Sequence, residues 1–206
     1  MLEFFSKGGL FMYPILLCSI TAFAIFIERL WSLRRNQVVP LSVVREVEAL
    51  VREDDFPGAT QLLRKSPTAI ARILLVGVRV FGRRREIIKE HLEEVGRQEA
   101  AMLERFLETL GTIAGISTLL GLLGTISGMI KIFSVIATST VINPSTLAGG
   151  ISEALITTLA GLSVAIPTIV MHRYLQTKTS ALTLEMERLS IRFMDLLKDE
   201  DEEVTP

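Results

Sequence analysis

The sequence predicts an all-α integral membrane protein with three transmembrane helices, two of them extended far into the cytoplasm. Three observations carry this. Long runs without charge recur at residues 8–27, at 109–130, and from 132 to 171, where Glu153 is the one exception. Hydrophobic residues make up 49% of the chain and the mean hydropathy is +0.44, which together are high for a water-soluble protein. Between and after the runs, apolar residues recur at helical spacing, and no segment alternates as a strand would.

The first span is expected at about 8–30, because crossing a bilayer core takes roughly 20 apolar residues as a helix. A cleaved signal peptide is a poorer fit. The apolar stretch is longer than the usual h-region, Glu28-Arg29 follows it, and no small-residue cleavage site closes it. The chain then divides into 1–30 (outward N-terminus and first span), 31–108 (cytoplasmic helices), 109–171 (second and third spans) and 172–206 (cytoplasmic helical tail).

In the middle segment, "FPGATQLLRK" and "SPTAIARILLVGVRVFG" each place Pro near a helix start, with Ser66 as an expected N-cap and Gly82 as a stop. From about Arg84 the apolar residues Ile87, Ile88, Leu92, Val95, Met102, Leu103, Phe106 and Leu110 keep a helical period without a breaker. One helix is therefore expected to run straight into the second span. The second and third spans are expected at 110–136 and 145–171, joined by a turn at 137–147. Asn143 suits the N-cap and Pro144 the first position of the third span. Beyond it, Leu182, Met186, Leu189, Phe193 and Leu196 form a heptad-like stripe, so this helix also continues past the membrane. The last residues, "KDEDEEVTP", read as an acidic, frayed end.

Orientation follows from Lys and Arg. Residues 31–108 hold 14 of them and the tail from 172 holds five, against one in residues 1–7 and none in 137–147. The positive-inside rule puts the middle segment and the tail in the cytoplasm. The same rule explains the basic clusters at 34–35 and 83–85 without nucleic acid, and the net charge of −1 gives no basic signature. The single Cys18 and the separated His91 and His172 suggest neither disulfide nor metal site, and no cofactor loop or nucleophile motif appears. An ordinary soluble enzyme is not expected.

Small and polar residues mark the two later spans. Gly111 and Gly115 form one GxxxG, Gly124 and Gly128 another, and Gly150 and Gly161 continue the theme. Lipid gives no hydrophobic drive for helix association, so close backbone approach is what such residues provide. Their number suggests more neighbours than one chain supplies, hence a homo-oligomer. Glu153 lies below the outer surface, where an ionised acid is costly and must face protein or water. Three readings remain open for it: a proton-pathway carboxyl, a structural acid paired with Lys131, or a wet interfacial residue. Thr157 lies one turn below Glu153, while Thr158 is about 140° away around the helix. With Thr112, Ser117, Thr118, Thr125 and Ser127 these hydroxyls suit a narrow hydrated path, although each singly suits a bond to its own backbone.

Two stretches, "TIAGISTLLGLLGTISGMIKIF" and "GGISEALITTLAGLSVAIP", resemble the MotA/TolQ/ExbB proton-channel family, most of all its TolQ/ExbB branch. The resemblance is strong over 109–170 and weak over 31–108. Ser117-Thr118 depart from the Pro that the family often has before the LLGL stretch. The resemblance implies a pentameric ring in the bacterial inner membrane around the transmembrane helices of a smaller, single-span ExbD/TolR-like partner, which carries the essential aspartate. The ring then serves a TonB- or TolA-like protein. It implies that Thr125 and Thr158 line the lumen and that Glu153 matches the family's acid in the third span. Rival expectations are a non-conducting scaffold that clamps a partner helix, a stator of a gliding system, and an unrelated small transporter with Glu153 as its substrate site.

Overall fold

The computed structural model describes residues 9–138 and 144–203. The expected Asn143 cap and residues 139–142 of the 137–147 turn lie outside the described residues, and the rest of that expected turn, 137–138 and 144–147, is helical. Every regular element among the described residues is helical: α1 (Met12–Ser32), α2 (Arg35–Val38), α3 (Leu41–Arg52), α4 (Phe56–Lys65), α5 (Ala69–Arg79), α6 (Arg85–Glu104), α7 (Leu107–Thr138) and α8 (Pro144–Glu203). Contacts divide the chain into two units. One joins residues 1–28 to 106–175, and the other joins 29–105 to 176–206.

In the first unit, α1, α7 and the first half of α8 are long and apolar enough to cross a membrane. Their inward faces are narrow. Leu110, Ala114, Ser117, Gly121, Gly124 and Gly128 of α7 are buried, as are Ala154, Thr157, Gly161, Ala165 and Thr168 of α8. Large apolar side chains point the other way: Leu119, Ile130 and Phe133 on α7, Leu155, Leu159 and Ile166 on α8, and Leu17 and Phe23 on α1 are exposed. Apolar outside and small inside is the pattern of helices solvated by lipid. Helix α8 continues through Pro167 without a break.

The second unit is a helical layer in which α3 packs on α4, α4 on α5 and α5 on α6, closed by residues 176–197 of α8. Its core includes Leu33, Val47, Leu63, Ile70, Leu74, Leu197 and Phe193, all buried. A Cβ on Gly77 would stand 3.2 Å from the Phe193 ring, so α5 approaches the tail where it lacks a side chain. Leu182, Met186 and Phe193 of the heptad-like stripe are buried, and Leu189 and Leu196 are half-buried. Ion pairs add to the packing. Arg72 grips Glu99 through both carboxylate oxygens at 2.5 Å, and Arg192 bonds Glu48 at 2.6 Å. Arg35 pairs with Glu185. The Glu99 hydrogen bond and charge raise the Arg72 pKa, against a desolvation that opposes them.

Local boundaries correct two expectations. Ser66 caps the C-terminus of α4 instead of starting α5, which begins at Ala69 behind Thr68. Pro67 explains this: it holds Ser66 extended, at φ −95° and ψ 113°, and the two hydroxyls of Ser66 and Thr68 bond each other at 3.1 Å. The expected unbroken helix from Arg84 into the second span is interrupted at Arg105–Phe106, where Phe106 has φ 66°. No Gly or Pro marks this break. The hydrophobic period is met separately on each side of it, as buried Leu103 before and Leu107 after. Arg29 reaches the Met102 carbonyl at 3.5 Å, placing a cation at the C-terminal end of α6, where the helix dipole favours one.

Candidate functional site

The chemistry-bearing residues of the first unit cluster where α7 packs on α8. Gly121 meets Thr158 and Gly161, Gly124 meets Thr157, Gly128 meets Ala154, and Gly150 meets Ile132. Numbers rise on one helix as they fall on the other, so the pair is antiparallel. Approach is closest at Gly161, where a Cβ would stand 2.6 Å from the Ser117 carbonyl oxygen and 2.9 Å from the Gly121 Cα. A Cβ on Gly128 would fall 2.7 Å from the Ala154 Cβ, and one on Gly124 would overlap the Thr157 methyl.

The expected packing glycines therefore differ in role within the chain. Gly124, Gly128, Gly150 and Gly161 lie in the contact line. A Cβ on Gly111 would stand 3.7 Å from the His172 ring, and one on Gly115 would meet nothing within 4 Å. Gly121 was missed by GxxxG matching. The signal that finds it is the small-xxx-small pair that it makes with buried Ser117.

Hydroxyls follow the same geometry. Thr157 is buried, and its Oγ1 donates to the Glu153 carbonyl at 2.8 Å. Thr125 donates to the Leu122 carbonyl at 2.6 Å, Ser117 to that of Ile113 at 2.8 Å, and Thr118 to that of Ala114 at 3.1 Å. These are bonds within one helix. Thr158 differs: its Oγ1 crosses to the Gly121 carbonyl of α7 at 2.9 Å. Each of these donors retains lone pairs that can accept a proton.

Glu153 stands elsewhere. Its Oε1 lies 2.6 Å from the Lys131 Nζ, with the Lys131 side chain 59% and the Glu153 side chain 29% exposed. The helical advance of 100° per residue fixes the sides. Thr125 follows Gly124 by 100° and Thr158 follows Thr157 by 100°. Since Gly124 and Thr157 face each other in an antiparallel pair, both threonines turn to the same flank. Lys131 is 60° the other way from Gly128, and Glu153 is 100° the other way from Ala154. The threonines thus share one flank of the α7–α8 contact and the ion pair occupies the opposite one. The four residues expected to line one path are not brought together within the chain: Thr157 is in the contact line, and Glu153 is across it from Thr125 and Thr158. No cluster of His, Cys, Asp and Glu suited to a metal occurs among the described residues.

Residues 65–188, which contain this whole arrangement on α7 and α8, match the model of the MotA/TolQ/ExbB proton channel family. The chain belongs to that family. It is 34% identical over 165 residues to the putative biopolymer transport protein ExbB-like 3 of Synechocystis sp., covering 79% of each protein. It is 34% identical over 178 residues to ExbB-like 1 of the same organism, covering 85% of this chain and 70% of the relative. Biopolymer transport protein exbB1 of Vibrio cholerae is 29% identical over 166 residues, 78% of this chain and 72% of that one. Membership in the MotA/TolQ/ExbB family, on its ExbB side, together with three apolar helices, makes this chain a multi-pass membrane protein of a channel family and not an enzyme.

Proposed function

We propose that this chain is the stator subunit of a proton-motive-force-driven motor of the ExbB/TolQ type in a bacterial inner membrane. Several copies, a pentamer by family resemblance, surround the transmembrane helices of a single-span ExbD/TolR-like partner, and the work passes to a TonB- or TolA-like protein. The N-terminus faces the periplasm, and residues 31–108 and 172–206 lie in the cytoplasm, where their Lys and Arg excess belongs.

One observation carries the reading: the flank of the α7–α8 pair that bears Thr125 and Thr158. A hydroxyl there relays a proton by releasing its carbonyl bond, accepting a proton from water on its oxygen and passing its own hydrogen to a carboxylate on the guest helix. The Thr158 bond to the Gly121 carbonyl holds that hydroxyl at the contact line until it turns. The Lys131–Glu153 pair stands on the opposite flank, so neither of its charges sits beside an acid that titrates at the threonines.

The test is proton flux into liposomes that hold this chain with its ExbD/TolR-like partner. Thr158→Val is expected to reduce flux to the level of partner-free vesicles while the assembly persists, and Thr158→Ser to retain it. Full flux in Thr125→Val and Thr158→Val removes both residues from the mechanism. Absence of flux in the wild-type pair, with H⁺ and with Na⁺, favours the non-conducting scaffold instead.

A further inference from the structure

Glu153 has a neighbour outside the α7–α8 pair. Gly9, just ahead of α1, has φ 69°, and its carbonyl accepts from the Met12 N–H at 3.3 Å to close the first turn of that helix. A Cβ on Gly9 would overlap the Glu153 Oε1 and stand 3.3 Å from its Cδ and 3.7 Å from its Cγ. The residue is constrained twice, once by a backbone conformation that L side chains resist and once by a carboxylate that fills the space of a side chain. Gly82 isolates the first constraint. It has φ 75°, and nothing lies within 4 Å of where its Cβ would be.

The same carboxylate oxygen is held by Lys131 of α7. One acid on α8 therefore touches the start of α1 and a cation on α7. We propose that Gly9 is a positioning residue whose bare backbone seats the start of the first span on the Glu153 carboxylate, turning the Lys131–Glu153 pair into a fastener for all three spans. The carboxylate is thereby kept on the flank away from Thr125 and Thr158, so it acts as a tie between helices and not as a carrier. Gly9 is accordingly expected to resist substitution even though it lies outside every helix. The inference stands on this geometry alone and holds whether or not protons cross the assembly.

The experiment compares thermal unfolding of the full chain in detergent for Gly9→Ala, Gly82→Ala, Glu153→Ala and the double variant Gly9→Ala/Glu153→Ala. Gly9→Ala is expected to lower the midpoint by several degrees more than Gly82→Ala, since it adds a collision to the same backbone strain. In the Glu153→Ala background the excess is expected to vanish, leaving a shift like that of Gly82→Ala. A purely structural glycine would cost the same in both backgrounds, and that result overturns the proposal. Proximity is read separately. In a Cys18→Ala chain, Gly9→Cys and Glu153→Cys are expected to form an intramolecular disulfide under mild copper-catalysed air oxidation, blocking both thiols to maleimide. Free thiols after oxidation overturn the proposal even if the double variant fails to fold. Neither arm measures flux, so a failed stator reading would leave both results standing.

Discussion

Gly161→Ala tests the packing on which the threonine flank depends. The added methyl would sit 2.6 Å from the Ser117 carbonyl oxygen, about 0.8 Å inside ordinary contact at 3.4 Å, and 2.9 Å from the Gly121 Cα. Both obstacles are backbone, so no side-chain rotation relieves them and the helices must part. Overpacking of this kind costs about 1–3 kcal/mol. Parting also stretches the Thr158 bond to the Gly121 carbonyl, worth about 0.6 kcal/mol in a membrane setting. Better helix propensity of Ala offsets about 1 kcal/mol. The net is a loss of about 0.6–2.6 kcal/mol, or roughly 1–10 °C in midpoint for a chain of this size. The assay is thermal unfolding in detergent followed by helical circular dichroism, with Gly149→Ala as control. Gly149 lies on the same helix with nothing within 4 Å, so its variant should be neutral or gain up to about 1 kcal/mol. If Gly161→Ala unfolds at or above the Gly149→Ala midpoint, the close approach described for α7 and α8 is wrong.

The second unit offers four more predictions. Arg72→Met strands the Glu99 carboxylate, which is 5% exposed, and should cost about 2 kcal/mol; this is below the range for a fully buried pair because Arg72 itself is 47% exposed. An unchanged midpoint would show that Glu99 finds another partner. Phe193→Ala empties a fully buried site between α5 and the tail and should cost about 3–5 kcal/mol by the same melt. Asp54→Gly should add about 0.5 kcal/mol, because Asp54 holds φ 57° in the turn between α3 and α4. The Glu94 carboxyl is held below its ordinary value, first by the Gln98 hydrogen bond and then by Arg97. A depressed folded value stabilises above the unfolded one, and that contribution is lost as pH falls through the folded value, on the acid side of 4.5. Carbon-13 titration of Glu94 should therefore move up towards 4.5 in Gln98→Ala, and an unmoved midpoint would assign the depression to Arg97.

What the sequence made legible was what a one-dimensional pattern carries. Charge-free length marked the three apolar helices, and the heptad spacing of Leu182, Met186 and Phe193 marked a face that is buried. What stayed hidden depended on a second body. The break at Phe106 has no Gly or Pro signal, because a hydrophobic period records which faces are covered and not whether the backbone between them is continuous. Gly121 is one of two glycines in "LLGLLGT", and its distinction lies in the Thr158 hydroxyl that bonds its carbonyl from another helix. Sidedness is the sharpest case. The 140° between Glu153 and Thr158 is readable from helical geometry, but an angle on α8 alone does not say which residues of α7 share a flank with each of them. That needed the antiparallel contacts of Gly124 with Thr157 and Gly128 with Ala154. Once they are known, a single acid among hydroxyls stops reading as one pathway. It separates into a flank that bears the Lys131–Glu153 pair and an opposite flank that bears Thr125 and Thr158.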